Sequence, residues 1–222
     1  MSWWLCTART TAPEHATWLG ARELAVLAAL SKPRRRADWL LGRWVAKHAL
    51  RAAGVEAELA QLEILADDDG APVAWLGERC VERALSLSHR AGAAVALAAA
   101  PELRVGCDLE RIEPRSAAFV RDYFTERERA AADAAPNAAL VANAIWSAKE
   151  SALKALRLGL SRDTRSVEVS LSSAADDGRW HALAVDDVEG GARFEGHLRT
   201  FDGFVVTLVA DAALSPPQQI AA

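Results

Sequence analysis

Two short stretches carry the residue types best suited to chemistry. Asp108-Leu109-Glu110 closes the run Val105-Gly106-Cys107, which reads as a strand. Residues two apart on a strand point to the same side, so both carboxylates would meet one point in space. Two acids forced together repel unless a cation lies between them, and hard oxygen ligands suit Mg²⁺. A solvent-facing pair at a strand end has the same pattern. The second stretch is Ile145-Trp146-Ser147-Ala148-Lys149-Glu150, followed by Lys154. On a helix Glu150 and Lys154 are i, i+4 neighbours in the favourable order, an exposed pair worth about 0.2–0.5 kcal/mol if it is only structural. Lys149 lies about 100° around the helix from Glu150.

A third feature is a concentration of positive charge. Between Lys32 and Arg51 there are seven Lys/Arg against one acid, Asp38, a net of +6 in a chain whose total is −4. The remainder is −10. Arg36, Arg43 and Lys47 share one face of the helix expected there. The face is either a solvated charge run or an anion site. One basic patch in an acidic chain fits general nucleic-acid binding poorly and a small, highly charged anion better. No Walker A sequence and no GxGxxG occurs, so phosphate binding would have to come from this face. Together the three features describe a site for a di- or polyphosphate.

Ser88-His89 invites a nucleophile–base reading, but neighbours on a strand point to opposite faces and the GxSxG elbow is missing. His89, next to a hairpin turn, could donate to an anion or be a satisfied, partly buried side chain.

The elements that must position these residues follow from periodicity and turn signals. Trp3 to Thr7 reads as a strand and Pro13 to about Leu30 as a helix. Ser31, a good N-cap, and Pro33 introduce a second helix from about Arg34 to Ala53, stopped by Gly54. Residues 61–66 and a short piece after Asp67-Asp68-Asp69-Gly70-Ala71-Pro72 read as strands. Ala84 to Ser88 and Ala93 to Ala99 form a hairpin about Arg90-Ala91-Gly92, with a seam at Pro101. Beyond the strand at 105–110, helices are expected over 116–132 and 138–158, the second closed by Gly159. Strand-like pieces then alternate with Gly/Asp turns, and the tail from about 215 reads as loose. This predicts two α+β halves, 1–101 and 102–222, without a strong internal sequence repeat.

The 222 residues suffice for one large domain or two small ones. No apolar run reaches the roughly 18 uncharged residues of a membrane span, and MSWWLCTART lacks the layout of a signal peptide. Cys6, Cys80 and Cys107 are odd in number, widely spaced and without a CxxC pair, which predicts a reduced, cytoplasmic protein.

In this order the motifs resemble a known family. Gly42-Arg43 comes first, then Leu87-Ser88-His89 with Gly92, then Val105-Gly106-Cys107-Asp108-Leu109-Glu110. Tyr123-Phe124-Thr125 with Glu128 and Trp146-Ser147-Ala148-Lys149-Glu150 with Lys154 complete the series. Over about residues 31–160 it is similar to the 4′-phosphopantetheinyl transferase superfamily, in its long, monomeric Sfp-like branch. The resemblance implies a pseudo-twofold pair of similar α+β halves with the ligand site between them. It implies transfer of the phosphopantetheine arm of coenzyme A to a serine of an apo acyl, aryl or peptidyl carrier protein, with adenosine 3′,5′-bisphosphate as the other product. A catalytically silent coenzyme A- or carrier-binding module is the alternative, and such a relative is expected to lack Asp108, Glu150 or Lys154.

Carried over by position, Asp108, Glu110 and Glu150 resemble the Mg²⁺ ligands and Lys154 the lysine at the pyrophosphate. Glu150 is also the expected base, directly or through water. Arg43 and His89 resemble residues at the 3′-phosphate, with Lys32 and one or more of Arg34, Arg35 and Arg36 completing that pocket. Ser88 would hydrogen-bond the nucleotide. The surface near Tyr123 and Phe124 is expected either beside the carrier or in the core. Neither nucleic acid nor membrane is an expected partner. One departure stands out: many relatives have Gly-Lys-Pro where this chain has Gly70-Ala71-Pro72, and Ala71 cannot supply that charge.

Overall fold

The computed structural model describes residues 2–9, 12–13, 15–158 and 162–222. The chain divides into two compact units, Met1–Glu102 with Pro217–Ala222, and Leu103–Pro216.

In the first unit, strand β1 (Trp3–Ala8) leads through a 3₁₀ turn (Ala16–Trp18) to α1 (Ala21–Ala29) and α2 (Pro33–Ala52). Then follow β2 (Leu62–Ala66), β3 (Pro72–Leu76), β4 (Arg79–Cys80), β5 (Ala84–Arg90) and β6 (Ala93–Ala99). Helix α2 lays Leu41, Val45, Ala46, Ala49 and Leu50 on Ala94, Ala96 and Ala98 of β6. All of β6 is buried, which explains why its alternation is blurred in the sequence. The β5–β6 turn holds Ala91 and Gly92 at φ 50° and 78°, the left-handed pair of a tight hairpin.

The helix expected from Pro13 starts only at Ala21. Leu19 and Gly20 are extended, and the Gly20 N–H donates to Glu23 Oε2 at 3.0 Å. A side chain at Gly20 would collide with Glu63. Ser31 is not the N-cap of α2; Lys32 occupies that position and Pro33 opens the helix. The tail expected to be loose forms a strand, β12 (Gln218–Ala221), which pairs in parallel with β1 and packs Ile220 on the core. The sheet order is β12-β1-β6-β5, with a smaller sheet β2-β3-β4.

The second unit runs β7 (Val105–Arg111), α3 (Ala117–Tyr123), α4 (Glu126–Asp133), α5 (Ala138–Ala155), β8 (Val167–Leu171), β9 (His181–Asp187), β10 (Arg193–Phe201) and β11 (Phe204–Ala210). Its sheet order is β7-β11-β10-β9-β8, every pair antiparallel, with α5 packed across β7 and β11. The single helix expected over 116–132 is two, because Thr125 starts a new one: its hydroxyl accepts from the Glu128 N–H while Glu128 accepts from the Thr125 N–H. The expected stop at Gly159 lies outside the described residues.

A repeat hidden in the sequence is explicit in the packing. Glu23 and Glu128 each sit at the third position of a helix whose N-cap N–H they accept. Each also accepts from a strand N–H, of Ile64 and Val169, and pairs with a fully buried lysine of the next helix, Lys47 and Lys149. No described helix is long and apolar enough to cross a membrane.

Candidate active site

Gly106 sets the geometry of the second unit's acidic cluster. A Cβ there would run into the Ser151 carbonyl, so only glycine lets α5 cross β7 this closely. Ser147 and Ser151 fasten the same helix to β11 by side-chain hydrogen bonds of 2.8 Å to Thr207 Oγ1. Asp108 and Glu110, on one side of β7, are thereby held against one face of α5, which presents Trp146, Glu150 and Lys154.

Lys154 Nζ donates to Asp108 Oδ1 at 2.8 Å and to the Cys107 carbonyl at 3.0 Å. Burial lowers its pKa, but the charge and hydrogen bond of Asp108 outweigh that, and the net direction is upward. Asp108 and Glu110 are 5 % and 8 % exposed, so they are not a solvent-facing pair. Trp146 Nε1 donates to Glu110 Oε1 at 3.2 Å, and Arg115 Nη2 to Glu110 Oε2 at 3.0 Å.

Glu150 differs from the other two acids. Its Oε1 is buried with no hydrogen-bond partner among the described residues. Burial, then the charges of Asp108 and Glu110, push its carboxyl up to about 7, with Lys154 opposing. A half-buried acid of this kind can hold or take a proton near neutral pH, or complete the shell of a hard cation.

Among the described residues no three Asp, Glu, His or Cys form a ready metal cage. Mg²⁺ usually takes one or two carboxylates plus phosphate and water oxygens. A purely carboxylate donor set with an orphaned Glu150 oxygen fits that partial role and does not fit an all-protein site.

In the first unit, Arg43 is half-buried with its guanidinium 4.5 Å over the Trp39 ring. Burial pushes its pKa down to about 10, against the charge of Glu23, so it stays a cation at neutral pH. Its Nε is buried without a partner among the described residues. Gly42 faces β5: a methyl there would be in ordinary contact with Leu87 Cδ1 at 3.5 Å and His89 Cδ2 at 3.6 Å. The exposed His89 ring therefore lies on the turn of α2 that carries Arg43. Ser88 is half-buried on the opposite side of β5.

Lys32, Arg35 and Arg36 are exposed at the start of α2. Arg35 is eight residues from Arg43, about 12 Å along the axis. Arg36 donates to the Leu27 carbonyl at 2.7 Å, tying down the end of α1. Lys47, counted in the basic face from sequence, does not belong to it. It is fully buried, 2.6 Å from Glu23 Oε2, and donates to the carbonyls of Trp18 and Leu59. The solvent-facing positive patch is thus smaller than the arithmetic suggested. Phe124 is core at 1 % exposure, while Tyr123 is 40 % exposed and stacks edge-on against Trp146. The Asp69-Gly70-Ala71-Pro72 turn closes on itself through Ala71 N–H to Asp69 Oδ1 at 3.0 Å, with no cation supplied by Ala71.

Sequence reasoning missed Arg115 and Asn143. Arg115 lies in the loop after β7, and Asn143 sits two turns before Glu150 on the same face of α5. The only sequence signal was the helical spacing of Asn143 to Glu150; Arg115 carried none.

Residues 104–200 match the 4′-phosphopantetheinyl transferase superfamily, and residues 22–99 match the 4′-phosphopantetheinyl transferase N-terminal domain. No curated protein matches the chain.

Proposed function

Because the chain belongs to the 4′-phosphopantetheinyl transferase superfamily, we propose that it transfers the phosphopantetheine arm of coenzyme A to a serine of an apo acyl, aryl or peptidyl carrier protein. The observation that carries this reading is the set formed by Asp108, Glu150 and Lys154, complete, with Asp108 buried and Glu150 and Lys154 half-buried. Both matched domains lie in one chain, which supports the long, monomeric branch of the family; the three cysteines without a CxxC pair support a cytoplasmic location.

In this reading the serine oxygen attacks the phosphorus that bears the pantetheine arm. The bond from that phosphorus to the bridging oxygen breaks, and adenosine 3′,5′-bisphosphate leaves with the bonding pair. Glu150 takes the serine proton, directly or through a water. Lys154, fixed by Asp108, presents its ammonium to the pyrophosphate and stabilises charge on the leaving group. Asp108, Glu110 and Glu150 would hold Mg²⁺, which neutralises the pyrophosphate when bound. Arg43 and His89 recognise the 3′-phosphate, and Lys32, Arg35 and Arg36 add positive potential beside it. Ser88 donates to the nucleotide.

The test is incubation with coenzyme A, Mg²⁺ and a panel of apo carrier proteins, read by intact mass. Addition of one phosphopantetheine group to at least one carrier is expected. Unmodified carriers throughout, with coenzyme A left intact, would overturn the assignment and favour a silent binding module.

A further inference from the structure

Glu110 is held by more than a strand needs. Arg115 Nη2 reaches its Oε2 at 3.0 Å, and Trp146 Nε1 reaches its Oε1 at 3.2 Å. Arg115 is itself fixed: its Nε donates to Asn143 Oδ1 at 2.8 Å, and its guanidinium lies 4.8 Å over the Phe119 ring. Asn143 is fully buried, and its Nδ2 donates to the Glu113 and Ala139 carbonyls at 2.6 and 2.7 Å. The chain of contacts starts on α5, crosses to the loop after β7, and ends on one carboxylate.

A structural ion pair does not require this. Arg115 and Glu110 side chains are 13 % and 11 % exposed, and a single contact would satisfy the charge. Here both carboxylate oxygens accept from a fixed donor, which removes rotation about the terminal bond. A carboxylate oxygen carries two lone pairs, so accepting from one donor does not prevent it from ligating a cation. Asn143, Trp146, Glu150 and Lys154 recur at i, i+3, i+7 and i+11, so one face of α5 supplies the clamp and the reacting groups together.

We infer that Arg115, braced by Asn143, is a positioning residue that orients Glu110 toward the divalent cation. The inference rests on the transferase reading only in assigning Glu110 to a metal. Arginine is required rather than lysine, because two donors of one rigid fork are used at once, toward Asn143 and toward Glu110. Removing an orienting partner of a metal ligand typically costs about 10–100-fold in metal affinity.

The experiment measures Mn²⁺ binding by electron paramagnetic resonance in the presence of coenzyme A, for the wild type, Arg115→Ala, Arg115→Lys and Asn143→Ala. In parallel the Mg²⁺ dependence of carrier modification is recorded. Positioning predicts Mn²⁺ affinity at least about tenfold weaker in Arg115→Ala and Arg115→Lys. The same direction is expected for Asn143→Ala, with little added loss in the double variant. Half-saturating Mg²⁺ rises in step, while KM for coenzyme A at saturating Mg²⁺ stays near the wild-type value. Charge compensation alone would make Arg115→Ala bind Mn²⁺ more tightly and leave Arg115→Lys unchanged, and either result overturns the inference. So does unchanged Mn²⁺ binding with only a lower melting temperature. If Arg115→Ala does not fold, Arg115→Lys decides the matter, since it keeps the charge and loses the fork. A wild type that binds Mn²⁺ but modifies no carrier would sink the transferase reading, while the variants would still decide the clamp.

Discussion

Lys149 Nζ lies 2.8 Å from Glu128 Oε2, and neither side chain is exposed to solvent. The lysine also donates to the carbonyls of Thr164 and Val167, while Glu128 accepts from the N–H groups of Thr125 and Val169. Lys149 is the residue before Glu150, yet its charge is spent on tying α4, α5 and β8 together. Lys47 and Glu23 make the same construction in the first unit, at 2.6 Å. The family motif around Glu150 thus combines one residue that holds the fold with one that faces the chemistry.

Removing one partner of such a pair strands the other charge. Lys149→Ala is expected to cost about 3–5 kcal/mol, measured by urea denaturation, because Glu128 is left buried without its cation. The double variant Lys149→Met with Glu128→Gln should recover a large part of that loss, since a neutral pair avoids the stranded charge. A single-variant loss below about 1 kcal/mol, the range of exposed pairs, would refute the buried role.

Glu150 carries the opposite sign of effect. Its folded carboxyl is raised from 4.5 to about 7 by burial and by the charges of Asp108 and Glu110. The fold therefore disfavours its ionised form. In metal-free protein its stabilising contribution is full below the unfolded value of 4.5 and is lost as pH rises through about 7. Glu150→Gln should thus raise the melting temperature of chelator-treated protein at pH 8 while abolishing carrier modification. The expected rise is about 2–4 °C, the response to about 1 kcal/mol in a chain of this size. The gain should shrink toward pH 5, and a gain independent of pH would contradict a cost that comes from ionising a buried carboxyl.

Much of this site follows from local pattern. Period two alone put Asp108 and Glu110 on one side of β7, and period 3.6 put Glu150 and Lys154 on one face of α5. The sequence could not show what each charge meets across the fold. Lys47 looked like surface because its partner, Glu23, is 24 residues away on another helix. Arg115 was missed because its brace, Asn143, is 28 residues away on α5. The break at Thr125 was missed because a capping box interrupts a helical pattern without a glycine or proline. The tail was read as loose because Pro216 and Pro217 hide a short strand whose partner is at the other end of the chain.

Gly106 can be tested directly. A methyl there meets backbone at Ser151, not a flexible side chain, so α5 has to move off β7. Gly106→Ala should lose about 1–3 kcal/mol or more from overpacking. Transfer should fall further than stability explains, because Lys154 and Asp108 belong to the two elements forced apart. Near-normal turnover with unchanged stability would show that the crossing tolerates a side chain.

Arg43 offers a test of ligand selection that does not touch the acidic cluster. Its guanidinium lies against Trp39 with a buried Nε that has no partner among the described residues, and its pKa of about 10 keeps it charged at neutral pH. A partly desolvated cation gains more from a phosphate dianion than an exposed one, because less water competes for the bond. If the 3′-phosphate of coenzyme A is that partner, Arg43→Ala should weaken coenzyme A by about 10–100-fold, the loss of a charge-assisted hydrogen bond of about 1.5–3 kcal/mol. Binding of 3′-dephospho-coenzyme A should change little. His89→Ala should follow the same pattern with a smaller loss, since its ring is exposed. Arg43→Lys should fall between, keeping the charge but losing the flat face against Trp39. Calorimetry with the two ligands in parallel settles it: equal losses for both would move the 3′-phosphate away from Arg43.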